Sequence, residues 1–193
     1  MIIPIVMITD DNYVIPTVVA VQALVSNKNE ETKYVINIIA SGLSEKSKNM
    51  FLELCSDKVE VKIVEVDINK YADLGNDRGD YCQASKAALF KFDIPNLFTE
   101  YEKIIYLDGD LIVRKDLSGL YRTDIKNHYV AAVNDSGKIY SGRKIMKEID
   151  TYFNSGVMLL NLTMMRKDNL TEKLMHQKSI MDDVSLMDQD VFN

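Results

Sequence analysis

The sequence is poor in cysteine: Cys55 and Cys82 stand in unrelated surroundings without C-x-x-C spacing. That pattern reads as two free thiols in a reducing compartment rather than a disulfide framework. Positive charge is also short, with 23 Lys and Arg against 29 Asp and Glu and a net charge of −6. Non-specific nucleic-acid binding needs phosphate-neutralising Lys and Arg, so no nucleic-acid partner is expected. Long hydrophobic runs are missing as well. The opening stretch, MIIPIVMITDD, has no basic n-region and soon reaches Asp10, so it is too short for a signal peptide or a membrane span. It reads as a buried first strand, and a cytoplasmic protein without a transmembrane segment is expected. The patterns G-x-x-x-x-G-K-[ST], G-x-G-x-x-G and G-x-S-x-G do not occur. A P-loop, a dinucleotide fingerprint and a hydrolase elbow are therefore unsupported. Internal repeats, low-complexity tracts and linkers are absent too, so residues 1–193 read as one domain.

What is present is globular in composition, 47% hydrophobic and 27% charged over 193 residues. A chain of this size can bury roughly 70% of the surface it exposes unfolded. Strand-like and helix-like segments alternate from the start. Ile2 to Thr9 reads as a strand ending in Asp10-Asp11-Asn12, followed by a helix through Val19 and Leu24 that ends by Ser26. Tyr34 to Ala40 is a second strand. Ser44 to Leu54 is a helix with Met50, Phe51 and Leu54 on one face. Val59, Val61 and Ile63 alternate with Glu60 and Lys62 in a third strand. Asp67 to Tyr81, with Gly75 and Gly79, reads as a long surface loop of the kind that binds or covers ligands. A helical segment, Gln83 to Phe92, precedes Ile94-Pro95. Lys103 to Leu107 is a buried strand, and Leu111-Ile112-Val113 a further apolar run. Val130 to Val133 and Gly156 to Leu162 are strand candidates. The remainder reads as largely helical, with Met164, Met165, Leu170 and Leu174 in the core. Ten methionines read as core filler. The alternation predicts an α/β layered domain with a mostly parallel sheet.

In such sheets ligands bind beyond the carboxyl ends of strands. Asp10-Asp11-Asn12, Asp108-Gly109-Asp110 and Asn134-Asp135 all follow directly on apolar strands. Asp108 and Asp110, separated by Gly109, can turn toward one hard cation, Mn²⁺ or Mg²⁺, completed by substrate phosphates. The bland alternative is an Asp-Gly turn. Asp10-Asp11-Asn12-Tyr13 reads equally as a helix N-cap. Asn154, in Tyr152-Phe153-Asn154-Ser155-Gly156-Val157, is either a turn residue or an amide for a sugar hydroxyl. Asp188-Gln189-Asp190 taken alone is a polar helix start. His128 and His176 have no partner spacing and read as surface residues.

In order, ITDDNY, SKAALFKFDIPNLF, KIIYLDGDLIV, YFNSGVMLLNL and MDQDVFN resemble family 8 of the retaining glycosyltransferases. The resemblance implies a GT-A-type nucleotide-diphospho-sugar transferase fold, its mostly parallel central sheet flanked by helices. It also implies a retaining hexosyltransferase with a UDP-sugar donor, a saccharide or lipid-linked saccharide acceptor (a glycan or lipopolysaccharide type), and Mn²⁺, with Mg²⁺ as a substitute. By motif, Asp10 and Asn12 lie at the uridine, Asp108 and Asp110 hold the metal, and Gly109 lies between them at the donor. Lys91 falls where many members have an arginine facing the donor sugar and phosphates, and lysine cannot reproduce a bidentate guanidinium. Asp135, Asn154, Asp188 and Gln189 line the sugar pocket, with Gln189 near the anomeric carbon opposite the leaving group. With no carboxylate placed for a double displacement, front-face attack is the favoured variant.

Members of that family continue past MDQDVFN with a histidine metal ligand and a Lys-Pro-Trp segment, and neither occurs here. The expectation is therefore a chain that stops before the last piece of its site, with weak metal binding in the absence of nucleotide and little transfer alone. The region beyond would carry the acceptor side and any peripheral membrane contact. Two alternatives stand beside this reading. One is a haloacid-dehalogenase-type phosphatase with Asp108 as nucleophile and Asp110 as acid–base partner. The other is a UDP-sugar-binding module without turnover.

Overall fold

The computed structural model describes residues 1–71, 74, 86–135, 151–181 and 187–193. β1 (Ile2–Ile8) is an apolar run buried from its second residue onward, as a strand covered on both faces must be. It pairs in parallel with β2 (Lys33–Ala40) on one side and β4 (Lys103–Leu107) on the other, and β2 pairs in parallel with β3 (Val59–Glu65). β6 (Phe153–Asn161) runs antiparallel to both β4 and the edge strand β5 (Val130–Asn134). The six strands lie in the order β3-β2-β1-β4-β6-β5. The mostly parallel sheet expected from the alternation is present.

Side chains alternate across a strand, and β1 divides its apolar residues accordingly. Ile3, Ile5 and Met7 pack with Val14, Val21 and Leu24 of α1 (Val14–Ser26) and Phe51 of α2 (Glu45–Leu52). Val6 and Ile8 face the opposite layer, with Tyr106, Met158 and Leu160. That layer is built from a 3₁₀ helix (Lys86–Asp93), α3 (Ile94–Leu97), α5 (Leu162–Lys167), α6 (Leu170–Ile180) and α7 (Met187–Phe192). α4 (Ser118–Tyr121) follows β4 on the first face, where Leu120 and Tyr121 pack. Each Leu, Ile, Met or Phe fully buried in these two cores contributes about 1.5–3 kcal/mol.

Several local expectations hold. The helix read from Ser44 to Leu54 is α2 (Glu45–Leu52), which Ser44 caps by accepting from the Ser47 N–H, and β3 alternates as read. Met165 and Leu174 are buried, Leu170 is partly so, and both histidines and Cys55 are exposed. The structure refines two readings. The apolar run Leu111-Ile112-Val113 forms no strand: Asn27 Nδ2, at the end of α1, donates to the Val113 carbonyl at 3.0 Å, and Ile112 is exposed. The helical segment before Ile94-Pro95 is 3₁₀ in kind and spans Lys86–Asp93. Gln83 to Ser85, Cys82, Gly75 and Gly79 lie outside the described residues. Of the long loop, Ile68–Tyr71 forms one 3₁₀ turn with Tyr71 buried.

β1, β4 and β5 all end at the same sheet edge, carrying Asp10, Asp108 and Asp135 there. Because β6 is reversed, its first residues reach that edge too, and the Asp108 N–H donates to the Gly156 carbonyl at 2.8 Å.

Candidate active site

The turn between β1 and α1 is organised by Asp10, whose Oδ1 accepts the backbone N–H groups of Asn12 at 2.9 Å and Tyr13 at 3.0 Å. Short acidic side chains favour this local geometry. Asp11 points away to the Ser44 N–H and hydroxyl, tying the exit of β1 to the start of α2. Tyr13 donates its hydroxyl to Asp110 Oδ2 at 3.0 Å. Partial burial, then Asp110 and Asp108, push the Tyr13 phenol pKa above its ordinary value, so it stays a neutral donor. A Cβ on Gly109 would lie 2.3 Å from Thr17 Oγ1. A glycine is thus required between the two aspartates for close approach to α1.

Asp108 stands two residues after Tyr106, on the same face of its strand. The Tyr106 hydroxyl donates to Asp108 Oδ1 at 2.5 Å, and Lys91 Nζ lies 3.2 Å from the same oxygen. The other oxygen, Oδ2, lies over Gly156, where a Cβ would sit only 2.6 Å away. Burial pushes the Tyr106 phenol well up, with the nearby carboxylates adding to the shift.

Lys91 is itself buried. It donates to Asp188 Oδ2 at 2.7 Å and lies 4.6 Å from the Tyr106 ring centroid. Ser155 donates its hydroxyl to Asp188 Oδ2 at 2.8 Å and its backbone N–H to Gln189 Oε1 at 3.0 Å. Gln189 Nε2 in turn donates to Asp135 Oδ2 at 2.8 Å. Tyr152 donates to Asp190 Oδ1 at 2.5 Å, and Asn193 exchanges hydrogen bonds with the backbone of Phe153. α7 is therefore docked on the start of β6 through a run of polar side chains, each with a partner. Burial pushes the Asp188 carboxyl pKa up, against the opposing pull of Lys91 and Ser155.

A cavity of about 720 Å³ opens at this edge, a size suited to a small organic ligand. Asp10, Asn12, Tyr13, Lys91, Asp108 and Asp110 are in its wall, with Gly109, Tyr106 and apolar Ile8 and Ala87. Asp188 and Gln189 are buried and reach that wall through Lys91 and Ser155. Asn154 is exposed, its Oδ1 accepting from the Gly156 N–H at 2.9 Å. Among the described residues no group of three or more His, Cys, Asp or Glu side chains could enclose a metal. Two carboxylates on one cavity wall nevertheless suit Mn²⁺ or Mg²⁺, whose remaining positions diphosphate oxygens and water would fill.

A family model described as glycosyl transferase family 8 matches residues 4–193. The chain belongs to glycosyl transferase family 8. Within the family, General stress protein A of Bacillus subtilis is 32% identical over 192 residues, which are 95% of this chain and 65% of that protein. Lipopolysaccharide 1,2-glucosyltransferase of Escherichia coli is 27% identical over 95% of this chain and 56% of its own length. The chain thus spans less than two thirds of these relatives. The galactosyltransferase LgtC, in complex with donor and acceptor sugar analogues, superposes with a TM-score of 0.82 at 23% identity, covering 99% of this chain and 69% of that one. The WbbM bifunctional glycosyltransferase superposes at 0.80 and 22% identity, over 99% and 36%. The fold is GT-A. Membership of glycosyl transferase family 8 displaces the phosphatase alternative.

This family 8 site contains residues that the sequence motifs did not single out: Tyr13, Thr17, Tyr106, Tyr152 and Ser155. Tyr106 was within reach, since a residue two before Asp108 must share its strand face. No local signal marks Ser155 as the residue joining Lys91, Asp188 and Gln189. Among the described residues, no helix is long and apolar enough to cross a membrane.

Proposed function

We propose that this chain is the nucleotide-sugar-binding and catalytic unit of a metal-dependent, retaining hexosyltransferase that moves a hexose from a UDP-sugar to a saccharide or lipid-linked saccharide acceptor. The observation that carries the reading is one cavity walled by Asp108 and Asp110 after β4 and by Asp10 and Asn12 after β1. In this reading Asp10 and Asn12 face the uridine, while Asp108 and Asp110 hold Mn²⁺, or Mg²⁺ in its place. The bound cation supplies Lewis-acid stabilisation of the departing diphosphate.

The chain's own residues do the rest. Tyr13, with its raised pKa, orients the Asp110 carboxylate as a neutral donor, and Tyr106 does the same for Asp108. Gln189 is held through Ser155 and Asp135 with both ends of its amide engaged, a rigid side chain to set beside the anomeric carbon. Asp188 and Asp135 fix that geometry, and Asn154 offers an exposed amide to the sugar. The reaction belongs in a cytoplasmic setting, in keeping with the unpaired cysteine pattern and the relation to lipopolysaccharide-type transferases.

The test is UDP release from a panel of UDP-hexoses with Mn²⁺ or with EDTA, the product anomer being read by NMR. Turnover is expected to need the metal and to yield the retained anomer. D108N should lower it about a hundredfold or more, as loss of several kcal/mol of charge stabilisation requires. Undiminished turnover in D108N at saturating Mn²⁺ refutes the reading. Binding of UDP-sugar without UDP release would make the chain a binding module instead.

A further inference from the structure

Lys91 is a buried cation shared between two carboxylates, only one of which faces the cavity as a metal ligand. Its ammonium lies 2.7 Å from Asp188 Oδ2 and 3.2 Å from Asp108 Oδ1, and its side chain is 5% exposed. Asp188 is fixed from the other side by the Ser155 hydroxyl at 2.8 Å, and if Lys91 swung out to solvent this buried carboxylate would keep that hydrogen bond but lose its adjacent cation. Asp108 Oδ1 already accepts from Tyr106 and has two donors on one oxygen. A divalent cation arriving alone meets a fixed positive charge 3.2 Å from its first ligand; the ammonium is buried, although the Asp108 side chain is 40% exposed, so the repulsion is reduced by solvent but not removed. A diphosphate changes the balance, because its oxygens give the ammonium a second partner in place of Asp108.

We infer that Lys91 is a positioning residue that withholds Asp108 from free divalent cations and so makes metal binding conditional on the nucleotide diphosphate. The inference rests on the reading that Asp108 and Asp110 hold the cation. Lys91 keeps Asp188 as its permanent partner and exchanges Asp108 for phosphate when the donor enters. Metal and nucleotide then strengthen each other's binding by the same factor, as linkage demands. A lysine suits this exchange, since its compact ammonium has rotatable donors and no fixed fork to realign.

Calorimetric titration of the whole chain with MnCl₂ alone, then with UDP present, tests this. K91M should bind Mn²⁺ alone about tenfold or more tightly than the unaltered chain, since a dication is freed from a close like charge. K91M/D188N, which removes both members of the buried pair and leaves no orphaned charge, should do the same. K91R keeps the charge and should remain weak. The factor by which UDP strengthens Mn²⁺ binding should shrink in both Met variants. A loss of packing would weaken binding, so a gain in metal affinity is a readout that a merely structural role would not move. Unchanged or weaker Mn²⁺ binding in K91M/D188N overturns the inference. If D108N abolishes Mn²⁺–UDP binding while the Lys91 variants match the unaltered chain, only this inference fails. If D108N leaves Mn²⁺–UDP binding intact, the metal reading beneath it fails as well.

Discussion

Gly109 is where the Asp108–Asp110 segment and helix α1 meet, and Gly109→Ala measures that contact directly. The added Cβ would lie 2.3 Å from Thr17 Oγ1, 3.2 Å from Thr17 Cβ and 3.4 Å from Tyr13 Cδ1. Thr17 cannot yield by rotation. Its hydroxyl is bonded to the Tyr13 carbonyl at 2.8 Å and the Thr9 hydroxyl at 3.1 Å, and turning χ1 would leave a substituent near the same place. Either the start of α1 or the 108–110 segment must shift, an overpacking cost of about 1–3 kcal/mol. At roughly 2–4 °C per kcal/mol for a chain of this size, a 2 kcal/mol loss lowers Tm by about 4–8 °C. Thr17→Ala removes the offending oxygen at a cost near 1 kcal/mol for the lost hydrogen bonding. In the double variant the remaining contact needs only a few tenths of an ångström of relaxation. Urea titrations of the two single variants and the double should therefore give a favourable coupling of about 1–2 kcal/mol. Additivity within about 0.5 kcal/mol would refute a direct clash. Mn²⁺–UDP binding should weaken in Gly109→Ala and partly return in the double variant.

Gly156→Ala should act on Asp108 rather than on α1. Its Cβ would stand 2.6 Å from Asp108 Oδ2 and 3.0 Å from Asn154 Oδ1, so Mn²⁺–UDP binding is expected to fall about 10- to 100-fold, as sub-ångström misplacement of a site group does. Calorimetry on the folded variant checks this. On the far side of the molecule, burial works against ionisation of Asp116, but hydrogen bonds from Ser118 and the Asn29 N–H outweigh it and hold the carboxyl well below the usual range. A folded-state pKa that is depressed adds stability above the unfolded value near ~3.9, and this is lost as pH falls below it. Urea midpoints should thus drop on acidification from about pH 5 to pH 3 more steeply in the unaltered chain than in D116N. Parallel slopes would exclude Asp116 as a source of acid sensitivity.

The sheet was legible in the sequence because strand-length apolar runs and alternating patterns carry burial on their face. β1, β2 and β4 read as continuous runs and β3 as an alternation, and all four lie where expected. The landing of Asp10, Asp108 and Asp135 on one edge follows from the rule for parallel sheets. What could not be read is long-range and geometric. Leu111-Ile112-Val113 has the composition of a strand, yet it pairs with none, and its Val113 carbonyl accepts from Asn27 at the end of α1. Lys91 gives no sign in its own neighbourhood that Asp188 waits 97 positions later. The same holds for Ser155, whose two bonds to Asp188 and Gln189 depend on the docking of α7. Gly109 and Gly156 could be noticed as glycines, but only coordinates show that one makes room for Thr17 and the other for Asp108.

The reversed direction of β6 has a consequence for how this rim is assembled. Parallel strands offer a pocket only what comes after them, whereas a strand that runs the other way offers what comes before. Phe153 to Gly156 therefore enter the rim as a lead-in, clamped to α7 on one flank and to β4 on the other. The rim is thus drawn from stretches of chain far apart in sequence, residues 153–156 on one side and Asp108–Asp110 on the other. The two meet at Gly156, so a change in one is felt by the other.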